Sequence, residues 1–329
     1  MIISQTPLRI SFCGGGTDFS DYYQSKEGFV ISSTIDKFIY VIIKERFDDL
    51  IYVDYTKKEI VTSINDIQHE LVRECAKKVG IEKGFEVSML ADIPSEGSGL
   101  GSSSSLTVGL LNAFYQYRGI QVTAEQLARE ACEIEIDILK KPIGKQDQYI
   151  AAYGGVCSFK FNQDSSVEVE KLNLSNEYKR RLGSNLLLFF TNVTRKSSVI
   201  LDEQKNNISS KMEFHDNIKE LAYKTKDYLL KGDFHKIGEV LNKNWELKKQ
   251  LSSNISNEFI DTMYNDAING GATGGKIAGA GGGGFLLLYC KMNNQDKLRE
   301  AMNKYREMPF FLEPGGSKII FNYTRYAWK

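Results

Sequence analysis

The run PSEGSGLGSSSS, residues 94–105, sets Gly97, Gly99 and Gly101 ahead of four serines, Ser102 to Ser105. Bare glycine backbone lets a ligand come close, and the first N–H groups of a helix have no partners within it. Those N–H groups and the helix dipole favour an anion, often a phosphate. Serine hydroxyls can bind a phosphate oxygen or sit in a magnesium shell. The stretch is neither a P-loop, which needs a Gly-Lys-Ser/Thr ending, nor a dinucleotide fingerprint. A tight strand–helix turn without a ligand is the competing reading.

Three further stretches carry candidate groups. In TPLRISFCGGGTDF, residues 6–19, Arg9 lies on or beside a strand and Asp18 ends a glycine turn. Together they suit a polar, hydroxyl-rich ligand, while singly they read as a surface arginine and a turn former. Glu135 sits at the edge of an apolar helix face, in line with Ala128, Ala131 and Leu139. A half-buried carboxylate there is costly unless paired or metal-bound. Asp147 follows the bend at Pro142–Gly144 and opens QYIAAYGG, where an N-cap is the plain reading. Finally, Gly279, Gly281 and Gly284 match G-x-G-x-x-G but run straight into the strand FLLLYC. A dinucleotide site needs those glycines to open a helix, so the topology is reversed. That loop reads as backbone pressed against a ligand or another backbone.

The elements that must hold these groups are readable in outline. Strands are expected at residues 7–12, 28–35, 38–47 and 50–55, and a helix at 65–80 stopped by Gly80. The strand 84–94 feeds the glycine run. Beyond it Leu106, Leu110, Phe114 and Tyr117 recur at helical spacing. Thr123 and Gln126 make a capping box for a helix over 122–142, and a strand is expected at 156–161. A buried strand at 185–193, helices over 197–251 with a break near 231–234, a helix at 256–271, the glycine-fed strand, a helix at 294–307 and a strand at 317–324 follow. Mixed strands and helices indicate an α/β or α+β class.

The whole chain bounds the partners. It has 329 residues, 42% hydrophobic and 26% charged, with 42 basic against 42 acidic side chains. That is a globular profile of two domains or one large one. With no basic tail or acidic block, no nucleic acid or membrane partner is expected. Five scattered cysteines, an odd number, read as free thiols in a reducing compartment, and no basic-then-apolar leader opens the chain. A cytoplasmic protein is the expectation. His69, His215 and His235 lack ligand spacing and read as surface or helix-flank residues.

Taken together and in order, PSEGSGLGSSSS, TPLRISFCGGGTDF and GGKIAGAGGGG resemble the three motifs of the GHMP kinases, the superfamily of galactokinase, homoserine kinase, mevalonate kinase and phosphomevalonate kinase. The resemblance covers essentially the whole chain. It implies a two-domain α+β fold: an N-terminal ATP-binding domain over 1–180 with a left-handed β-α-β unit, and a ferredoxin-like C-terminal domain over 181–329. It also implies site roles. Ser103 and Glu135 would hold Mg2+, Asp147 would accept a sugar hydroxyl's proton, and Arg9 would steady it. Gly97, Gly99, Gly101, Ser102, Ser103 and Ser104 would line the ATP phosphates. Asp18, Gly15, Gly16 and Thr17 would meet the sugar. Gly15 and Gly16 stand where galactokinases carry Glu-His, which argues against galactose. The start TPLRISFCGGGTDFSDYY and the stretch KERFDDLIYVDYTKKEIV lean towards the heptose-phosphate branch of the family. That branch implies ATP-dependent phosphorylation of the anomeric hydroxyl of D-glycero-D-manno-heptose 7-phosphate to the 1,7-bisphosphate, for nucleotide-activated heptose and surface glycans. The sugar's own phosphate is expected at TRKSSV, with Arg195 and Lys196 supplying charge; a solvated helix start is the competing reading. Small-molecule partners, sugar phosphate and ATP, and a monomer or homodimer are expected. The rivals are another sugar 1-kinase, for fucose, a uronic acid or an unphosphorylated heptose, and a catalytically silent sensor of sugar and ATP.

Overall fold

The computed structural model describes residues 1–93, 97–193 and 197–323. The first sheet is built on β1 (Ile2–Cys13) and β2 (Gly28–Glu45), followed by β3 (Ile51–Asp54), β4 (Lys58–Val61), β5 (Phe85–Ala91), β6 (Val156–Phe161) and β7 (Val167–Lys171). A second, antiparallel sheet in the order β11-β8-β10-β9 comprises β8 (Leu186–Phe190), β9 (Gly274–Ile277), β10 (Phe285–Tyr289) and β11 (Arg306–Glu307). The strand β12 (Lys318–Asn322) returns to the first sheet and pairs with β1.

β2 is one strand of 18 residues, where the sequence suggests two. Its first half pairs with β6 and its second half with β5, both antiparallel. The changeover falls at Asp36–Lys37, opposite the register shift between Pro7 and Leu8 of β1. Pro7 has no N–H to give the ladder, so β2 bulges there and the local pattern reads as a break.

The helices are α1 (Ser20–Tyr23), α2 (Glu70–Val79), α3 (Ser102–Tyr117), α4 (Ala124–Cys132), α5 (Gln146–Tyr153), α6 (Asn176–Gly183), α7 (Ser197–Asn207), α8 (Met212–Lys231), α9 (His235–Lys249), α10 (Glu258–Asn269) and α11 (Gln295–Ala301). Gly80 ends α2 in the left-handed conformation, φ +73°, as predicted; of the capping box, the Gln126 N–H donates to Thr123 Oγ at 3.1 Å, while the Gln126 side chain turns to Glu130 instead of reaching back. The helix expected from residue 65 begins only at Glu70, with a 3₁₀ turn at Ile64–Asp66 before it. The region 197–251 breaks twice, at 208–211 as well as at 232–234. α3 packs on β1 and β2, and α8 packs on the same two strands. Leu8, Ile10 and Phe12 of β1 thereby share one core with β8, β10 and α9, while Val108, Leu111 and Phe114 of α3 belong to another. β1 and β2 both carry residues of the two cores, and β1 carries Arg9.

Candidate active site

The glycine run does feed a helix. Gly97, Gly99 and Gly101 have φ of +71°, +73° and +80°, a region L side chains rarely adopt. Gly101 is the N-cap of α3 and offers no side chain, so the opening N–H groups of the helix have no side-chain cap. Gly97, Gly99, Gly101, Ser102, Ser103 and Ser104 line one cleft of about 580 Å³. Glycines of the C-terminal motif form its opposite wall. A Cβ on Gly99 would lie 2.4 Å from the carbonyl oxygen of Ala278, and one on Gly279 would lie 2.7 Å from the Cα of Gly99. The third motif is therefore backbone seated on backbone, the second of the two expectations for it.

Arg9 and Asp147 form a fork. Arg9 Nε and Nη2 each donate to one oxygen of Asp147 at 2.7 Å, and Nη1 donates to the carbonyl of Gly99 at 2.5 Å. Bidentate pairing of this kind fixes the carboxylate plane as well as its position. Asp147 is the second residue of α5 and does not cap it; its side chain is 23% exposed, enough for a ligand to reach it. The pair lines the phosphate-loop cleft and a second, smaller cavity, with Ile143, Leu201, Gly279 and Ala280 common to both. Arg9 and Asp147 thus stand at the junction of two compartments.

Glu135 is more deeply placed than its helical phase suggests. It is fully buried, not at a half-exposed edge. The helix expected to continue to Pro142 turns into a π-helix over Glu133–Ile138, in which Leu139 N–H donates to the carbonyl of Ile134. The wider turn shifts the phase and rotates Glu135 inward. Its Oε1 accepts from Ser103 Oγ at 2.5 Å and its Oε2 from Gln148 Nε2 at 2.8 Å. The ammonium of Lys141 lies 3.3 Å from Ser103 Oγ and 3.7 Å from Glu135 Oε1.

The smaller cavity gathers Asp18, Gly15 and Gly16. Asp18 accepts from the N–H of Gly16 at 2.9 Å and of Gln146 at 3.1 Å, and burial raises its pKa. Thr17 does not reach this cavity: its hydroxyl donates to the carbonyl of Gly14 at 2.7 Å and accepts from the N–H of Phe29 at 3.0 Å, which ties the loop to β2. Arg195 and Lys196 lie outside the described residues. Residues not singled out from the sequence also line the cavity, Ser11, Asn244, Lys248 and Lys276 among them. Asn244 and Lys248 share the buried face of α9 with Ile237 and Leu241, and polar residues within that apolar stripe were the readable signal. His215, expected at a surface or helix flank, is buried, with its ring at 3.2 Å from where a Cβ of Gly16 would stand.

Comparison with known proteins gives the family. Models of the GHMP kinase N-terminal and C-terminal domains match residues 66–155 and 225–307. The D-glycero-alpha-D-manno-heptose 7-phosphate kinase of Campylobacter jejuni is 33% identical over 92% of this chain and 93% of its own. This chain belongs to the GHMP kinase family. Its two-domain α+β architecture is the GHMP kinase fold, and the chain is a kinase by membership. The crystal structure of a D-glycero-D-manno-heptose 1-phosphate kinase from Bacteroides thetaiotaomicron superposes with a TM-score of 0.83 at 27% identity, covering 98% of this chain and all of the other. The L-fucokinase/L-fucose-1-P guanylyltransferase of Bacteroides fragilis is 27% identical over 88% of this chain but only 35% of its own length. Among the described residues, no helix of this GHMP kinase is long and apolar enough to cross a membrane.

Proposed function

We propose that this GHMP kinase transfers the γ-phosphoryl group of ATP to the anomeric hydroxyl of D-glycero-D-manno-heptose 7-phosphate, giving the 1,7-bisphosphate, in the cytoplasm. The observation that carries the reading is the Arg9–Asp147 fork at the junction of the phosphate-loop cleft and the acceptor cavity. The likeness to the C. jejuni heptose kinase supports the choice of sugar.

The backbone of Gly97, Gly99 and Gly101 would let the triphosphate lie against the open N-terminus of α3. Asp147 would take the proton of the attacking hydroxyl, and Arg9 would hold that carboxylate in plane beside the moving phosphoryl group. Most of the rate would come from positioning and charge stabilisation. Asp18 would accept hydrogen bonds from the sugar's other hydroxyls.

Ser103 and Glu135 suit Mg2+. Their oxygens lie together and already hold a cation, the Lys141 ammonium. Among the described residues no group of three or more His, Cys, Asp or Glu side chains could hold a metal alone, so phosphate oxygens would complete the shell. When bound, the metal would neutralise charge on the β- and γ-phosphates.

The test is ADP release from MgATP with a panel: D-glycero-D-manno-heptose 7-phosphate, the 1-phosphate, the unphosphorylated heptose, mannose, fucose and galactose. The reading expects turnover with the 7-phosphate and its loss in Asp147→Asn. Turnover of fucose alone would move the assignment to the other relative's substrate. Binding without turnover across the panel would make the protein a sensor.

A further inference from the structure

The acceptor cavity holds an excess of positive charge. Its charged side chains are Arg9, Lys248 and Lys276 against Asp18 and Asp147, three cations and two carboxylates. Arg9 is matched by Asp147. Lys248 and Lys276 are both buried, and among the described residues neither pairs with a carboxylate. Lys248 Nζ donates to the carbonyl of Gly279, and Lys276 Nζ to the carbonyl of Ser11 at 3.0 Å. A carbonyl takes one proton of an ammonium but does not neutralise it. Burial pushes both side chains towards the neutral form, Lys276 down to about 8 and Lys248 well below its ordinary value, where Lys276 and Arg9 add repulsion that the Asp18 carboxylate only partly offsets. Buried ammonium groups without a paired carboxylate are costly and rare.

A second, independent sign lies on the same wall. The hydroxyl of Ser11 is buried, lines the cavity and has no hydrogen-bond partner. A buried hydroxyl left so carries its full desolvation cost. All three residues line the same cavity, and an anion there would supply the charge and the acceptor that these groups lack. They come from β1, α9 and β9, so the site is built by three separate elements.

We propose that Lys248, Lys276 and Ser11 form an anion subsite in the acceptor cavity, which takes the phosphate ester that the sugar already carries. The proposal rests on the sugar-phosphate kinase reading above. All three residues line the acceptor cavity and none lines the phosphate-loop cleft, which favours the acceptor's ester over the γ-phosphoryl group. The subsite is an alternative to the expectation that Arg195 and Lys196 hold that phosphate.

The test uses the full chain and Lys248→Met, an apolar side chain of similar length. One charge-assisted contact is worth about 10- to 100-fold in affinity. KM for heptose 7-phosphate should rise by about that factor, the preference over unphosphorylated heptose should fall with it, and Lys248→Arg should recover part of the loss. Ser11→Ala should move the same preference in the same direction by less, and it carries the test where Lys248→Met fails to fold. Independently of turnover, inorganic phosphate should raise the melting temperature of the wild type saturated with magnesium and a non-hydrolysable ATP analogue. It should not do so for Lys248→Met. An equal fall in kcat for both sugars at unchanged KM would overturn the proposal, because Lys248 would then serve the transferred group. So would a KM effect from Arg195→Ala with none from Lys248→Met. A wild type that turns over no sugar phosphate sinks the kinase assignment, while the phosphate melting shift still judges the subsite.

Discussion

Arg9 reaches Asp147 with two nitrogens and Gly99 with the third, so one guanidinium orients both the carboxylate and the phosphate loop. Lysine keeps the charge but cannot make that fork. Arg9→Lys should therefore lower kcat while circular dichroism stays native. Asp147→Asn should lower kcat by about 10²- to 10⁴-fold, the usual worth of a positioned acid or base, with little change in ATP affinity. The buried Lys276 makes a separate prediction about stability. Its pKa falls from 10.5 in the unfolded chain to about 8 in the folded protein. Between those values the unfolded chain binds more protons, so this residue's contribution to stability rises as pH rises from 8 to 10.5, by on the order of 3 kcal/mol. Urea midpoints of wild type and Lys276→Met should accordingly differ in the mutant's favour near pH 7.5, and that advantage should shrink by pH 10. An advantage that does not change with pH would refute it.

Among the elements, the glycine loop of 97–101 and that of 278–284 act as one unit. Gly99→Ala would set a methyl group 2.4 Å from a carbonyl oxygen at a φ of +73°. Backbone cannot swing aside as a side chain can, so the substitution should cost about 1–3 kcal/mol and raise KM for ATP. A urea midpoint and an ATP titration check both. Several elements were plain in the sequence because their signals are local. Gly80 favours a left-handed stop by its lack of a side chain, and Thr123 caps with its own hydroxyl. The phosphate loop was plain as well, since helical spacing begins directly after the serines. The burial of Glu135 was not, because a π turn changes the phase that a helical wheel assumes. The unity of β2 was hidden by the bulge opposite Pro7. Lys248 and Lys276 went unnoticed because a lysine is read as exposed unless a partner is seen, and what they face here is a cavity.

Across the whole molecule, all five cysteines are buried and unpaired. Burial raises each thiol, that of Cys13 to about 12, so the native protein should resist a thiol reagent at neutral pH and react fully only when unfolded. Fast labelling of the native state would contradict the burial. The loop contact described above limits where a crossover between two chains of this family can fall. In a chimaera, the segment around Gly99 from one parent would have to seat against the segment around Gly279 from another. Neither surface has a side chain that could adjust to a small misfit; the contact is carbonyl against Cα. Hybrids that take both glycine loops from the same parent should be active, and those that split them should lose nucleotide binding even where each part folds.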